Sequence, residues 1–341
     1  MAKLTVEIKQ HTPIIHSHYG HPDETLRATE IKSKINHYLR EIRINYPRYK
    51  VHIDLTSNLL RREPPSKLYL GNMEKNGYKN NKPKVLYRYA YENITVTFNT
   101  YFNEGLKENI NKVLSKTLCL ENFGSRSNKG FGCFTLKNTE IALFEQILRQ
   151  NIEGTILCWD DNNDIDKVYR HVSNVYQAIK SGFGHGINKS SILSKYFSNK
   201  NILWERAEIY KYFFNKKEAG YDIKQKKYVR ALLGIPKEIT WGDETISISS
   251  EDIKRIQSPI IFKIFEINHN QYRVYFWYKL YDKYFDIQNK IFLFKKGEKQ
   301  FTINVPTFCL IDINNLMEKI YQEYSSKEIR LTKLNEVKDV R

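Results

Sequence analysis

The chain has 341 residues, 41% hydrophobic and 13% aromatic, enough for packed cores, which excludes disorder along the whole chain. Its 55 Lys and Arg outnumber 38 Asp and Glu, and the resulting +17 favours a polyanionic partner such as nucleic acid. There is no apolar run of about 18 residues and no signal-peptide core, so no membrane partner and a cytoplasmic location are expected.

In chain order, Lys3–Gln10 alternates Leu4, Val6 and Ile8 with polar neighbours, the period of a half-buried strand. A histidine-rich loop follows, and Leu26, Ile31, Ile35, Leu39 and Ile42 then recur at helical spacing over about 25–44. Residues 45–83, rich in Pro and Gly, read as a long insertion. The runs 84–91 and 93–101 predict a hairpin, and 107–120 a second helix. A glycine-rich loop at 122–134 leads into a short strand at 131–136. This order of strand, helix, strand, strand, helix, strand is ferredoxin-like, as in RNA-recognition domains.

The scheme repeats, with a strand at 155–159, a helix at 164–179 and a hairpin of 259–267 with 271–280. Further strands are predicted at 290–294 and 300–304, with a helix at 311–324. The expected fold class is therefore α+β, with two ferredoxin-like (RRM-like) domains carrying helical insertions. The first spans 1–150, with its insertion at about 45–83. The second spans 151–325, with a helical insertion at about 182–255, and 326–341 reads as a charged tail that frays.

In the loop Asn-Phe-Gly-Ser-Arg-Ser-Asn-Lys-Gly-Phe-Gly-Cys-Phe, Gly124, Gly130 and Gly132 surround Arg126 and Lys129. Glycines admit positive φ and close approach, and the cations supply charge to phosphate oxygens. An ordinary turn explains the same residues, but the charge of the chain and the place in the fold order favour a nucleic-acid role. Arg27, Lys32 and Lys34 on the first helix either form a solvated face or extend a basic track from this loop. A second glycine cluster at 181–189 carries His185 and Lys189 and reads as a hinge or another phosphate-contacting turn. The strand containing Tyr87, Tyr89 and Tyr91 offers stacking candidates if its face is open, and core residues if helices cover it.

Metal and cofactor readings fall away on spacing. Cys119, Cys133, Cys158 and Cys309 are too dispersed for a zinc ribbon and read as small core residues. His11, His16, His18 and His21 complete no known ligand set. Asp160, Asn162 and Asp164 open like a calcium loop, but Ile165 stands where glycine is required, so these residues read as a helix cap. No cofactor and no metal are expected.

With this order in hand, the chain resembles the RAMP superfamily of CRISPR-associated proteins. The resemblance rests on Phe123-Gly124, five residues holding Arg126 and Lys129, then Gly130-Phe131-Gly132, ahead of the last ferredoxin-like strand. Within the superfamily the chain is most similar to the first subunits of type III-B Cmr effector complexes. That similarity is carried by His11-Thr12-Pro13-Ile14 with Leu26–Lys32, by Ala231–Pro236, and by Arg255-Ile256-Gln257-Ser258-Pro259. The resemblance implies an RNA-binding subunit without nuclease activity. Its partners would be guide RNA (crRNA) near the 3′ region, target RNA, and other CRISPR effector subunits. Gly124, Arg126, Lys129, Gly130, Gly132, Arg27, Lys32, Lys34, His185, Lys189 and Arg255 are the expected RNA-binding residues. A protein scaffold touching little RNA is one alternative. The other is a metal-independent endoribonuclease processing precursor guide RNA, with His16, His18 or His37 as its base; the early position of the glycine loop disfavours it.

Overall fold

The computed structural model describes residues 2–15, 26–45, 47–55, 59–63, 78–79, 82–83, 88–182, 191–202, 205–214, 227–235, 238–241, 244–251, 253, 257–279, 286–307, 312–324, 326 and 328–336. The first half contains β1 (Lys3–Gln10), β2 (Ile14–Ile15), α1 (Ala28–Glu41), β3 (Lys50–Leu55), β4 (Leu59–Glu63), β5 (Tyr78–Lys79), β6 (Lys82–Pro83), β7 (Arg88–Tyr91), β8 (Ile94–Asn99), α2 (Glu104–Leu120) and β9 (Phe134–Leu136). The antiparallel sheet β3-β8-β1-β9 has the ferredoxin-like order. Both helices cover one face of it. Ile31, Ile35, Tyr38 and Leu39 form the buried stripe of α1, and Leu106, Ile110, Val113 and Leu114 that of α2. The Asn103 side chain starts α2 by accepting from Leu106 N at 2.8 Å.

Which strand sits second in this unit differs from the sequence expectation. β3, inside the supposed insertion, pairs with β8, while β7 joins β2 and β4 in a separate three-stranded sheet. Val51, Ile53 and Leu55 alternate with exposed Lys50, His52 and Asp54, a period-two signal masked by the surrounding Pro and Gly. Tyr91 is buried in the core, and Arg88 forms a buried ion pair with Asp166. Tyr87 and the side chain of Tyr89 lie outside the described residues.

The second half contains α3 (Ile141–Asn151), β10 (Leu157–Asp161), α4 (Ile165–Lys180), α5 (Ile192–Ser198), α6 (Arg206–Phe214), a 3-10 helix (Val229–Leu233), β11 (Glu238–Trp241) and β12 (Glu244–Ser249). It continues through β13 (Ile260–Asn268), β14 (Gln271–Tyr278), β15 (Ile291–Lys296), β16 (Lys299–Asn304), α7 (Ile313–Glu323) and β17 (Thr332–Lys333). The sheet β13-β14-β10-β17 repeats the ferredoxin-like order, so the chain carries the fold twice. Asp164 caps α4 by accepting from Lys167 N at 2.9 Å.

Two expectations change here. The insertion at 182–255 is mixed rather than helical, because β11 and β12 pair with β15 and β16 in a third sheet. Their signal was again period two, with Ile246 and Ile248 buried and Ser247 and Ser249 exposed. The segment 326–341 is also more than a fraying tail. Thr332–Lys333 pairs with β10 as the fourth strand, Leu334 is buried, and Leu334 N donates to Ile156 O at 2.9 Å. Buried His171 helps to hold this segment, contacting Asp161 Oδ2 at 2.6 Å and Glu328 Oε2 at 2.9 Å.

The second sheet is buried on both faces. Leu157, Trp159, Phe262, Ile264, Val274 and Phe276 face one core with α4 and α7. Cys158, Ile261, Phe265, Tyr275 and Trp277 face the other, against Leu118 of α2 and Phe144 and Leu148 of α3. Helices of the first unit thus roof the sheet of the second. Two polar groups pin this roof. Lys263, fully buried in β13, donates to Leu118 O at 2.6 Å and Glu121 O at 2.7 Å, carbonyls at the end of α2. His11 contacts Thr135 Oγ1 through Nε2 at 2.8 Å and accepts from Glu266 N through Nδ1 at 3.0 Å. Burial, with Lys9 and Lys263 nearby, holds His11 well below the ordinary 6.5 and therefore neutral.

Three outcomes follow from this packing. Lys263→Met leaves buried carbonyls without a donor and should lower stability by roughly 2–4 kcal/mol in a denaturant titration. Leu334→Ala should cost roughly 2–5 kcal/mol in the same assay, whereas a fraying tail would give no change. For His11 the folded value is depressed, so its contribution is complete above 6.5 and is lost as pH falls towards the folded value. The unfolding free energy of the native chain should therefore fall below that pH, by up to about 1.4 kcal/mol per pH unit from this group, seen as a falling thermal midpoint. His11→Gln should be less stable throughout but flatter across the same range.

Candidate nucleic-acid interface

The glycine loop leaves α2 at Glu121 and enters β9 at Phe134. Its backbone takes positive φ at Gly124 (80°), Arg126 (59°), Gly130 (82°) and Gly132 (64°). Two tight turns fold the tip, with Lys129 N donating to Arg126 O at 2.8 Å and Gly130 N to Ser127 O at 3.1 Å. A Cβ at Gly132 would stand 2.0 Å from Phe123 O, one at Gly124 2.6 Å from Ile14 Cγ1, and one at Gly130 2.6 Å from Ile264 Cδ1. At each of these three glycines a side chain would meet protein atoms, so close packing within the chain by itself requires glycine here. The loop is a junction before it is a ligand site.

Four segments converge on it. Thr12 Oγ1 donates to Gly130 O at 2.8 Å and accepts from Cys133 N at 2.9 Å, and Pro13 O accepts from Gly132 N at 3.0 Å. From α1, Glu30 Oε1 accepts from Gly124 N at 2.8 Å, so the helix start lies beside the loop. From β13, Phe262 N donates to Asn128 O at 3.1 Å, and Phe262 O accepts from Asn122 Nδ2 at 2.7 Å. Gln257 and Ser258 bond the Asn128 side chain. Tyr176 of α4 completes the set, its hydroxyl 3.2 Å from Leu233 O and 3.3 Å from Ser258 Oγ. The stretches quoted for the family resemblance, scattered between residues 11 and 259, thus meet around one turn.

The loop cations differ in setting. The Lys129 ammonium lies over the Tyr176 ring, buried and with no hydrogen-bond partner among the described residues. Burial, then Lys180 and Arg126, push its pKa well below the ordinary range. Arg126 is half-buried, and burial lowers its pKa to about 10. Lys180, in the last turn of α4, has its ammonium 5.7 Å from the centre of the same Tyr176 ring. Three cations are therefore gathered at one corner, and the charges that act most on Lys129 share its sign.

The other expected residues divide. Arg27 is the N-cap of α1, half-buried near the loop. Lys32 donates to Tyr49 O at 2.6 Å, and Lys34 meets Glu121 Oε2 at 3.1 Å, so both ammoniums are engaged within the protein rather than forming a free track. Glu121 also accepts from Tyr38 and Lys279. Burial alone would raise its pKa, but Lys34 and Lys279 hold it down at about 2. His185, Lys189, Arg255, His16 and His18 lie outside the described residues. Lys180, just ahead of the second glycine cluster, lies close enough to the first loop for its charge to act on Lys129. His37 is exposed on α1, 3.5 Å from Glu41.

Neither sheet offers the aromatic stacking face of an RNA-recognition domain. The open face of the first carries Lys3, Thr5, Glu7, Thr95, Thr97 and Asn99 beside Lys50, His52 and Asp54. That of the second lies under α2 and α3. Sequence reasoning missed Tyr176, Lys180 and Lys263. A lysine inside the apolar run Ile260–Phe265 was the available signal for the last. Among the described residues, no cluster of three or more His, Cys, Asp or Glu could hold a metal, and no helix is long and apolar enough to cross a membrane.

Comparison with known proteins agrees with the arrangement of motifs. The Cmr1 N-terminal domain matches residues 1–48 and 41–183, and the Cmr1 C-terminal domain matches 188–341. No curated protein matches the chain. Among solved structures, the apo crystal structure of Cmr1 from Pyrococcus furiosus is similar, at 12% identity and a TM-score of 0.42, covering 98% of this chain and 99% of that one. The chain belongs to the Cmr1 family of RAMP proteins and is a subunit of a type III-B Cmr CRISPR complex.

Proposed function

We propose that this subunit binds RNA, guide or target, at the corner formed by the glycine loop and the end of α4, and that it holds RNA without cutting it. The observation that carries this reading is the gathering of Arg126, Lys129 and Lys180 at one corner, where burial first and then the two neighbouring cations depress Lys129. Cations gathered at one corner raise the local attraction for an anion, and a phosphodiester supplies that charge. Arg126 stands half-buried on the loop tip, where a guanidinium can bridge two phosphate oxygens. Lys129 acts from behind, adding charge while its stem packs against α4. The glycines act indirectly, by seating the loop against β2, β13 and Phe123 so that Arg126 has a fixed position. The excess of +17 adds long-range attraction for the same polyanion.

The test pairs Arg126→Ala with Lys180→Ala, sparing the packed Lys129, and measures affinity for single-stranded RNA across a salt series. The double variant should bind more weakly, and its log–log salt slope should fall by about 1.4, the value for two lost phosphate contacts on a single strand. RNA recovered from metal-free binding reactions should be intact. An unchanged slope would favour a protein scaffold, and cleavage abolished by His16→Ala or His18→Ala would favour the endoribonuclease.

A further inference from the structure

The first unit has a second basic surface at the opposite end of its sheet. The glycine loop joins β1 at its C-terminal end, where His11 N bonds Cys133 O at 2.9 Å. The turn between β8 and α2 lies at the other end, where Thr100 N bonds Ala2 O at 3.0 Å. From Ala2 to His11 extended chain advances about 30 Å. This turn is stiff. Tyr101 has φ 61°, its N–H donates to Asn99 Oδ1 at 2.9 Å, and Thr100 Oγ1 donates to Asn103 O at 2.9 Å. The turn displays Phe102 at 84% exposure and Tyr101 at 42%, so the chain spends rigidity on holding two aromatic side chains in water.

Beside them runs an open groove of about 990 Å³, with Ile44, Pro47 and Leu106 along it and Arg48 in its wall. In the sheet register Lys3 and Lys50 flank Asn99 from the two neighbouring strands, so both lysines stand at this end on the exposed face. Glu104, the acid in the groove, is already ion-paired with Lys107. Lys3, Arg48 and Lys50 have no carboxylate partner among the described residues.

We propose that this groove is a second RNA contact, taking an unpaired base stacked on Phe102 with flanking phosphates on Arg48, Lys50 and Lys3. The inference rests on the reading that the protein binds RNA, but it uses none of the glycine-loop residues. Uncompensated cations call for an anion, and lysines are depleted where protein partners dock. An exposed aromatic next to such cations is the arrangement that holds single strands, because every base has a face to stack and its phosphate lies within reach of a cation. Paired bases are already stacked, so a duplex gains nothing from Phe102.

The experiment measures binding of the full chain to a short unstructured RNA and to a perfect RNA duplex of the same length. Phe102→Ala should weaken single-strand binding roughly tenfold and leave duplex binding and the salt slope unchanged. Phe102→Trp should restore the affinity, which excludes misfolding as the cause. Arg48→Ala with Lys50→Ala should lower the single-strand salt slope by about 1.4. Wild-type single-strand affinity in Phe102→Ala overturns the proposal, as does equal weakening towards strand and duplex. Loss of neighbouring CRISPR subunits with RNA affinity intact also overturns it, making Phe102 a protein-docking knob. If the Arg126 and Lys180 substitutions weaken binding and Phe102→Ala does not, this site alone fails. If the native chain binds neither RNA, both readings fail together.

Discussion

A single buried ammonium sets the geometry of this molecule. Lys263 rises from the middle of β13 into the end of α2, where a helix leaves its last carbonyls without partners. Burying a lysine is costly, and burial does lower its pKa. Donation to Leu118 O and Glu121 O offsets that cost, and the partial negative charge at the helix terminus helps. The contact ties the sheet of the second ferredoxin-like unit to the end of a helix of the first. It fixes the helices of the first against the sheet of the second, and it fixes the point where the chain turns into the glycine loop.

That arrangement closes the surface by which ferredoxin-like domains commonly read RNA. Once α2 and α3 cover Tyr275 and Trp277, these aromatics are core, and Tyr275 bonds Glu145 rather than a base. The first sheet keeps an open face, but its outward residues are threonines, an asparagine and charged groups. The basic and aromatic groups that remain near the surface therefore lie at the ends of elements. One such place is the glycine loop, where Thr12, Glu30, Phe262 and Tyr176 converge, and another is the stiff turn that carries Phe102.

Two buried lysines within this one region differ in a way that bears on function. Lys263 has carbonyl acceptors and acts as structure. Lys129 has an aromatic face beneath it and cations as its strongest charged neighbours, and no acceptor among the described residues. Arg126 and Lys180 share the sign of Lys129, so they do not offset the cost of burying it. The contrast separates a lysine whose ammonium is held by carbonyls from one held over a ring among other cations, although both are buried.

Much was legible in the residues themselves. Alternation in Lys3–Gln10, helical spacing in α1, α2 and α4, and the hairpin of β13 and β14 are local signals that survive folding because each element buries one side. The glycine spacing marked positive φ correctly. Local pattern did not reveal which strand pairs with β8, since β3 and β7 both read as extended segments and only the sheet chooses between them. It also missed β17, two residues long, whose strand character comes from pairing with β10. Nor did it show what the glycines approach, because a missing Cβ looks the same beside a phosphate and beside Ile264. The sequence by itself determined the repeated βαββαβ order and the basic character. Tertiary structure decided which cations stay near solvent and which become pins, because burial and partner geometry belong to contacts between different elements, as far apart in the chain as Leu118 and Lys263.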